Sequence, residues 1–169
     1  MRGTGPSPAR PLSRHARSPR GTRMATVELR FSAQPEHVRT ARLVAAAVAR
    51  RAGVEEAVLD EVRLAVGEAC SRAVGLHRSN GLTAPVRVVL TEEEKVFSIE
   101  VGDELPGPAG GPVDAVAGID AVLDPDIEGE DEMGLAVISG LVDDVEVTSG
   151  EGGGTIRMSW PVSADSDVP

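Results

Sequence analysis

Three positions in this chain carry residue types whose spacing could do chemistry. Glu68 lies in the stretch RLAVGEACSRAVGLH, Arg63 to His77, with Arg72 four residues further on. On a helix that spacing stacks the two side chains one turn apart, so Glu68 is either a working carboxylate or half of an ion pair that contributes only about 0.3–0.5 kcal/mol. Asp103 closes the alternating run FSIEVGD and precedes the Pro/Gly-rich ELPGPAGGP. A carboxylate at a strand end can accept a hydrogen bond from a purine amine, or it can cap a turn. Gly134 opens the apolar run GLAVISGLV after an acidic stretch. A helix start there would present unpaired N–H groups able to hold phosphate, although a glycine also eases a tight loop-to-helix join. Cys70 has no histidine at a telling spacing, His77 being about two turns away, and is expected to be a small buried hydrophobe rather than a nucleophile.

These residues need elements to position them. VELRFSA, Val27 to Ala33, alternates apolar and polar with a period of two and predicts a half-buried strand. Pro35 stands where a first helical turn tolerates it, and the Ala-rich segment from Glu36 to Ala52 predicts a helix ended by Gly53. A second helix is expected from about Val54 to His77, its stripe of Val58, Val62, Ala65, Val66, Ala69 and Ala73 packing on a sheet. VRVVLT and KVFSIEVGD read as antiparallel strands across the acidic turn at Glu92 to Glu94. Residues 104–132 are Gly/Pro-rich and then acidic, with seven acids between 120 and 132, and predict a mobile, solvated segment holding one short helix near Val113 to Val122. A helix from about Gly134 to Leu141 and a terminal hairpin of DVEVTSG and GTIRMSW around EGGG complete the chain. That order predicts an α+β two-layer sandwich, with a mixed, mostly antiparallel sheet and the helices on one face.

Composition narrows the function classes. With 169 residues, 41% of them hydrophobic, the chain is long enough for one well-buried domain, expected over residues 24–162, plus tails at 1–23 and 163–169. Phe31, Phe97 and Trp160 are the only aromatics, which argues against stacking on nucleobases. A single cysteine excludes an internal disulfide and a Cys-based zinc cluster, and no apolar run approaches the roughly 20 residues that span a bilayer. A soluble, cytoplasmic protein with no membrane partner is expected. The first 23 residues carry six Arg and no acid, whereas residues 24–169 carry 11 bases against 27 acids, so the charge divides into +6 and −16. A domain this acidic repels phosphate backbones, which argues against direct nucleic acid binding. The basic tail has nothing to bury, and since Met24 opens the first patterned segment, a misassigned start is the leading explanation of residues 1–23.

Taken together and in this order, LAVGEACSRAV, FSIEVGDELPG, MGLAVISGLVDDVEV and GGGTIRMSW resemble the N box, the two glycine boxes and the closing hairpin of the GHKL ATPase superfamily. The resemblance is to the bacterial RsbW and SpoIIAB type of anti-sigma factor and serine protein kinase, and it covers roughly Val27 to Pro161. It implies a Bergerat-type (GHKL) fold, ATP as cofactor and, as partners, a sigma factor or a STAS-domain anti-anti-sigma protein, with a homodimer among the family's habits. Glu68 falls at the position of the family's catalytic base. Asp103 falls at that of its adenine-reading Asp, Gly107 in the first glycine box, Gly134 and Leu135 in the second, and Thr155 near the adenine side. The chain departs from the pattern where the family's Mg²⁺-holding Asn becomes Arg72, where Leu105 replaces a glycine of the first box, and where Glu132 replaces one of the second. Arg has no acceptor lone pair and cannot ligate a cation, so no metal ligand is assigned; Arg72 is instead a candidate phosphate contact.

Two functions follow from the resemblance: an anti-sigma-type regulator whose nucleotide site is partly degraded and which acts by partner switching, or an active ATP-dependent serine kinase with Glu68 as base. A DNA-binding protein led by the basic arm is a third reading, opposed by the charge of the domain.

Overall fold

A computed structural model describes residues 24–107, 110–114 and 130–163. The strands are β1 (Ala25–Phe31), β2 (Val86–Glu92), β3 (Val96–Gly102), β4 (Gly110–Asp114), β5 (Asp144–Gly150) and β6 (Gly153–Pro161); the helices are α1 (Pro35–Ala52), α2 (Leu59–Ser79) and α3 (Glu130–Leu141). A 3₁₀ turn at Glu56–Val58 leads into α2. All six strands join one sheet in the order β1-β2-β3-β6-β5-β4. Every pairing in it is antiparallel. The expected two-layer α+β architecture is present, with α1 and α2 on the sheet and α3 against α2, but the described strands pair antiparallel throughout rather than as a mixed sheet.

The period-two alternation does the work of building this layer. Register sets Val88 against Val101, Leu90 against Ile99, Ile99 against Met158, Phe97 against Trp160 and Val101 against Ile156, so one face is a continuous apolar surface. Those residues are buried together with the inward stripes of the helices in a single core. The remaining positions place Glu28, Arg30, Arg87, Glu100 and Arg157 where they form exposed ion pairs, each contributing about 0–1 kcal/mol. On α1 the buried face is Val38 followed by Ala41, Ala45, Ala46, Ala49 and Ala52, small side chains that let α2 approach closely. Gly53 ends α1 in the left-handed conformation with φ 97°, its N–H donating back to the carbonyls of Ala49 and Arg50.

Three boundaries differ from those read in the sequence. α2 starts at Leu59 rather than near Val54, because the preceding residues take the tighter 3₁₀ geometry. A strand, β4, stands where residues 110–114 were expected in a loop; it pairs Val113 with Val147 and Asp114 with Glu146. The short helix expected near 113–122 thus gives way to strand at its first two positions, and the rest of it lies outside the described residues, as do the tails 1–23 and 164–169 and residues 115–129. Finally, α3 begins at Glu130, so Gly134 sits inside the helix instead of at its start. Among the described residues no helix is long and apolar enough to cross a membrane.

The core row predicts a graded response. Ile99→Ala, at a fully buried position contacted from both sheet neighbours, is expected to lower unfolding free energy by about 2–5 kcal/mol, and Arg30→Ala by less than about 1 kcal/mol, in urea titrations followed by the fluorescence of Trp160.

Candidate nucleotide site

The buried stripe of α2 runs Leu59, Val62, Val66, Cys70, Ala73, His77, and its 3.6-residue period leaves Glu68 and Arg72 at the stripe's margin, both half-buried. They do not pair with each other. The Glu68 carboxylate lies beside α3, where a Cβ built on Gly134 would be 3.7 Å from Glu68 Oε2. Among the described residues Glu68 forms no ion pair. Arg72 reaches the other way. Its Nη1 is 3.9 Å from Oδ2 of Asp103, with the two side chains only 15% and 8% exposed, and its buried Nε has no hydrogen-bond partner.

Asp103 is held from several sides. Its Oδ1 accepts from the backbone N–H of Leu105 at 2.9 Å, an Asx turn, and from that of Gly154 at 3.2 Å. Its own N–H donates to the carbonyl of Gly154 at 2.9 Å. Gly153, at φ 116°, and Gly154 give this strand end its space, since a Cβ on the first would collide with the Asp103 carbonyl and one on the second would lie 2.8 Å from Oδ2. The loop after Asp103 is anchored by His77. Glu104 N–H donates to His77 Nε2 at 3.0 Å, which leaves the ring proton on Nδ1, donated to the carbonyl of Ala84 at 2.9 Å. One fully buried imidazole thereby ties the end of α2, the approach to β2 and the Asp103 loop together.

Glu68, Arg72, Asp103 and Gly134 therefore border one strip between α2, α3 and the end of β3, and Thr155 adjoins it, paired in register with Gly102. Gly107 is placed elsewhere along the loop: its N–H donates to the carbonyl of Gly150 at 3.0 Å, and its α-carbon faces Ser149. Leu135 is buried in the hydrophobic core. Sequence reasoning passed over His77 and the pair Gly153 and Gly154. His77 was legible as a polar residue falling on the apolar stripe Val66, Cys70, Ala73, a place where an imidazole must find partners. The close approach at Gly153 depends on a strand crossing more than 40 residues away in sequence and leaves no local signal.

The chemistry of this strip is lopsided. A metal held on a triphosphate needs oxygen donors from the protein, and Arg72 supplies only N–H donors where an amide oxygen would serve. No cluster of three or more His, Cys, Asp or Glu suited to a metal occurs among the described residues. Arg72 itself therefore cannot hold Mg²⁺, and the oxygen donors bordering the strip are the carboxylates of Glu68 and Asp103. At the Asp103 end of the strip, Oδ1 is committed to two backbone amides and Oδ2 faces a guanidinium.

Residues 31–160 match the family described as histidine kinase-like ATPase domain, and the chain belongs to that family. It is 28% identical over 135 residues to an anti-sigma F factor of Clostridium acetobutylicum, covering 76% of this chain and 87% of that one. Its fold is similar, with a TM-score of 0.54 at 16% identity, to a crystal structure of RsbU and RsbW domains from Mycobacterium tuberculosis; the likeness covers 80% of this chain and 32% of that longer one. The resemblance to the RsbW and SpoIIAB type is borne out by these matches.

Two predictions follow from the α2 surroundings. Replacing His77 with Phe leaves the Glu104 N–H and the Ala84 carbonyl without partners, an expected loss of about 1–3 kcal/mol per orphaned group in urea unfolding. Burial pushes the Cys70 thiol up to about 12 from 9.0, against the opposing charge of Arg42. The folded state thus holds the proton more tightly, so this contribution is complete below pH 9.0 and is lost as pH rises from there towards about 12. At about pH 8, iodoacetamide is expected to leave native Cys70 unmodified over hours and to alkylate it on unfolding, as mass spectrometry would register.

Proposed function

We propose that this chain is an anti-sigma-type regulator of the GHKL class with a partly degraded nucleotide site, working in the cytoplasm by partner switching between a sigma factor and a STAS-domain protein. The contact between Arg72 and Asp103 carries the reading. It places a permanent positive charge against the carboxylate that would read adenine, at the helix position where the family's metal-holding amide would stand. A bound nucleotide must displace or share that guanidinium, and meets it where the family offers an amide oxygen to Mg²⁺. Phosphoryl transfer depends on positioning and on neutralising charge, so the same substitution works against kinase turnover. The similarity to an anti-sigma F factor supports the regulatory half of the proposal. In the competing reading, an active serine kinase, Glu68 is the base; its freedom from any ion pair among the described residues and its place beside Gly134 favour that role.

Calorimetric titration with ATP, with and without Mg²⁺, distinguishes the two. The wild-type chain is expected to bind ATP weakly and with no gain from Mg²⁺, while Arg72→Asn gains Mg²⁺-dependent affinity of about tenfold or more, equivalent to about 1.4 kcal/mol. Tight Mg²⁺-dependent binding by the wild type, with phosphate transfer to a STAS protein of the same cell, would reject the degraded-site proposal in favour of the kinase. Failure to bind any sigma factor or STAS protein of that cell would reject both.

A further inference from the structure

The strip between α2, α3 and the end of β3 has a charge pattern that suits a base and a sugar better than a chain of phosphates. Residues 104–156, which run from the loop after Asp103 through α3 into β6, hold 13 acids and no Lys, Arg or His. Glu68, half-buried beside Gly134, forms no ion pair among the described residues. α3 opens on Glu130, Asp131 and Glu132, acids that already answer the positive end of its helix dipole. Among the described residues the cation bordering the strip is Arg72, and its charge lies against Asp103. Each phosphate added to a ligand here therefore meets carboxylates with no new counter-charge, in a partly desolvated place where like charges repel strongly.

The Arg72 end of the strip holds uncommitted hydrogen-bonding capacity instead. Oδ2 of Asp103 and Nη1 of Arg72 stand 3.9 Å apart, too far for a hydrogen bond, and the buried Nε–H of Arg72 has no partner. An acceptor and a donor thus lie side by side where an unmade hydrogen bond is costly. Adenine offers the complementary edge, an amine next to a ring-nitrogen acceptor. Guanine fits less well, because its ring N–H and its amine together call for both carboxylate oxygens, and Oδ1 already accepts from Leu105 and Gly154. One helical turn from Arg72, about 6 Å along the axis, Glu68 supplies a carboxylate of the kind that accepts from ribose hydroxyls.

We infer that this strip binds adenosine, an adenine nucleoside without phosphate, its amine on Asp103, its ring nitrogen on Arg72 and its ribose towards Glu68. The inference rests on the degraded-site reading and names that site's ligand. Calorimetric titration of the full chain with adenosine, AMP, ADP, ATP and guanosine, first in EDTA and then in Mg²⁺, tests it. Affinity is expected to fall in the order adenosine, AMP, ADP, ATP, with ATP and guanosine each at least about tenfold weaker than adenosine. Arg72→Leu and Asp103→Asn should each weaken adenosine by at least about tenfold while circular dichroism and Trp160 fluorescence report an intact fold. Glu68→Gln should bring ATP closer to adenosine. No binding of adenosine, adenosine held no more tightly than ATP, guanosine equal to adenosine, or indifference to Arg72→Leu would each overturn the inference, and the degraded-site reading survives that failure if Mg²⁺ brings ATP no gain. Tight binding of ATP that requires Mg²⁺ would reject both.

Discussion

Burial of one stripe of α2 governs nearly everything else in this molecule. Leu59, Val62, Val66, Ala69, Cys70 and Ala73 are each almost wholly removed from water, between the sheet and the helices on either side. The Leu and Val side chains among them each contribute about 1.5–3 kcal/mol and the smaller ones less, together far more than any single polar contact at the margin. The helix cannot rotate without exposing that stripe, so the directions of Glu68 and Arg72 are set by hydrophobic packing and not by their own attractions. Packing overrides the helical ion pair that their four-residue spacing would otherwise favour, because an exposed pair is worth only about 0.3–0.5 kcal/mol. Glu68 is left beside α3 and Arg72 beside Asp103.

That division shapes the electrostatics of the strip. Asp103 is organised by backbone amides through one oxygen, and its other oxygen meets Arg72 at a distance too long for a hydrogen bond. A half-desolvated pair of this kind returns little of what desolvation costs, and the orphaned Nε of Arg72 adds to the imbalance. The arrangement is thus held in place by its surroundings. His77 stiffens the loop behind Asp103, and Gly153 and Gly154 allow β6 to close on it. The resulting surface is a strip in which a guanidinium lies against the Asp103 carboxylate.

The outer face of the same helix pair has a different logic. Alanines on α1 face α2, Gly67 on α2 leaves room for the Arg42 side chain, and the larger residues at the outer edge, Leu43 and Leu64, stand in solvent. One helix pair therefore presents both the margin that carries Glu68 and Arg72 and an apolar groove rimmed by arginines.

Read alone, the chain determined its layer architecture and most element boundaries, since alternation, helical periodicity and glycine stops are local properties written in consecutive residues, whereas the grouping of Glu68, Asp103 and Gly134 was implied only by the resemblance. The replacement of an amide by Arg72 was equally legible, because the chemistry of a guanidinium does not depend on where it points. Tertiary structure alone decided that Arg72 pairs with Asp103 and leaves Glu68 unpaired, that residues 110–114 form an edge strand, that Gly134 lies within a helix, and that His77 anchors a loop 27 residues ahead. Each of these depends on surfaces brought together from distant parts of the chain, where burial of apolar area outweighs the small local preferences that a sequence displays.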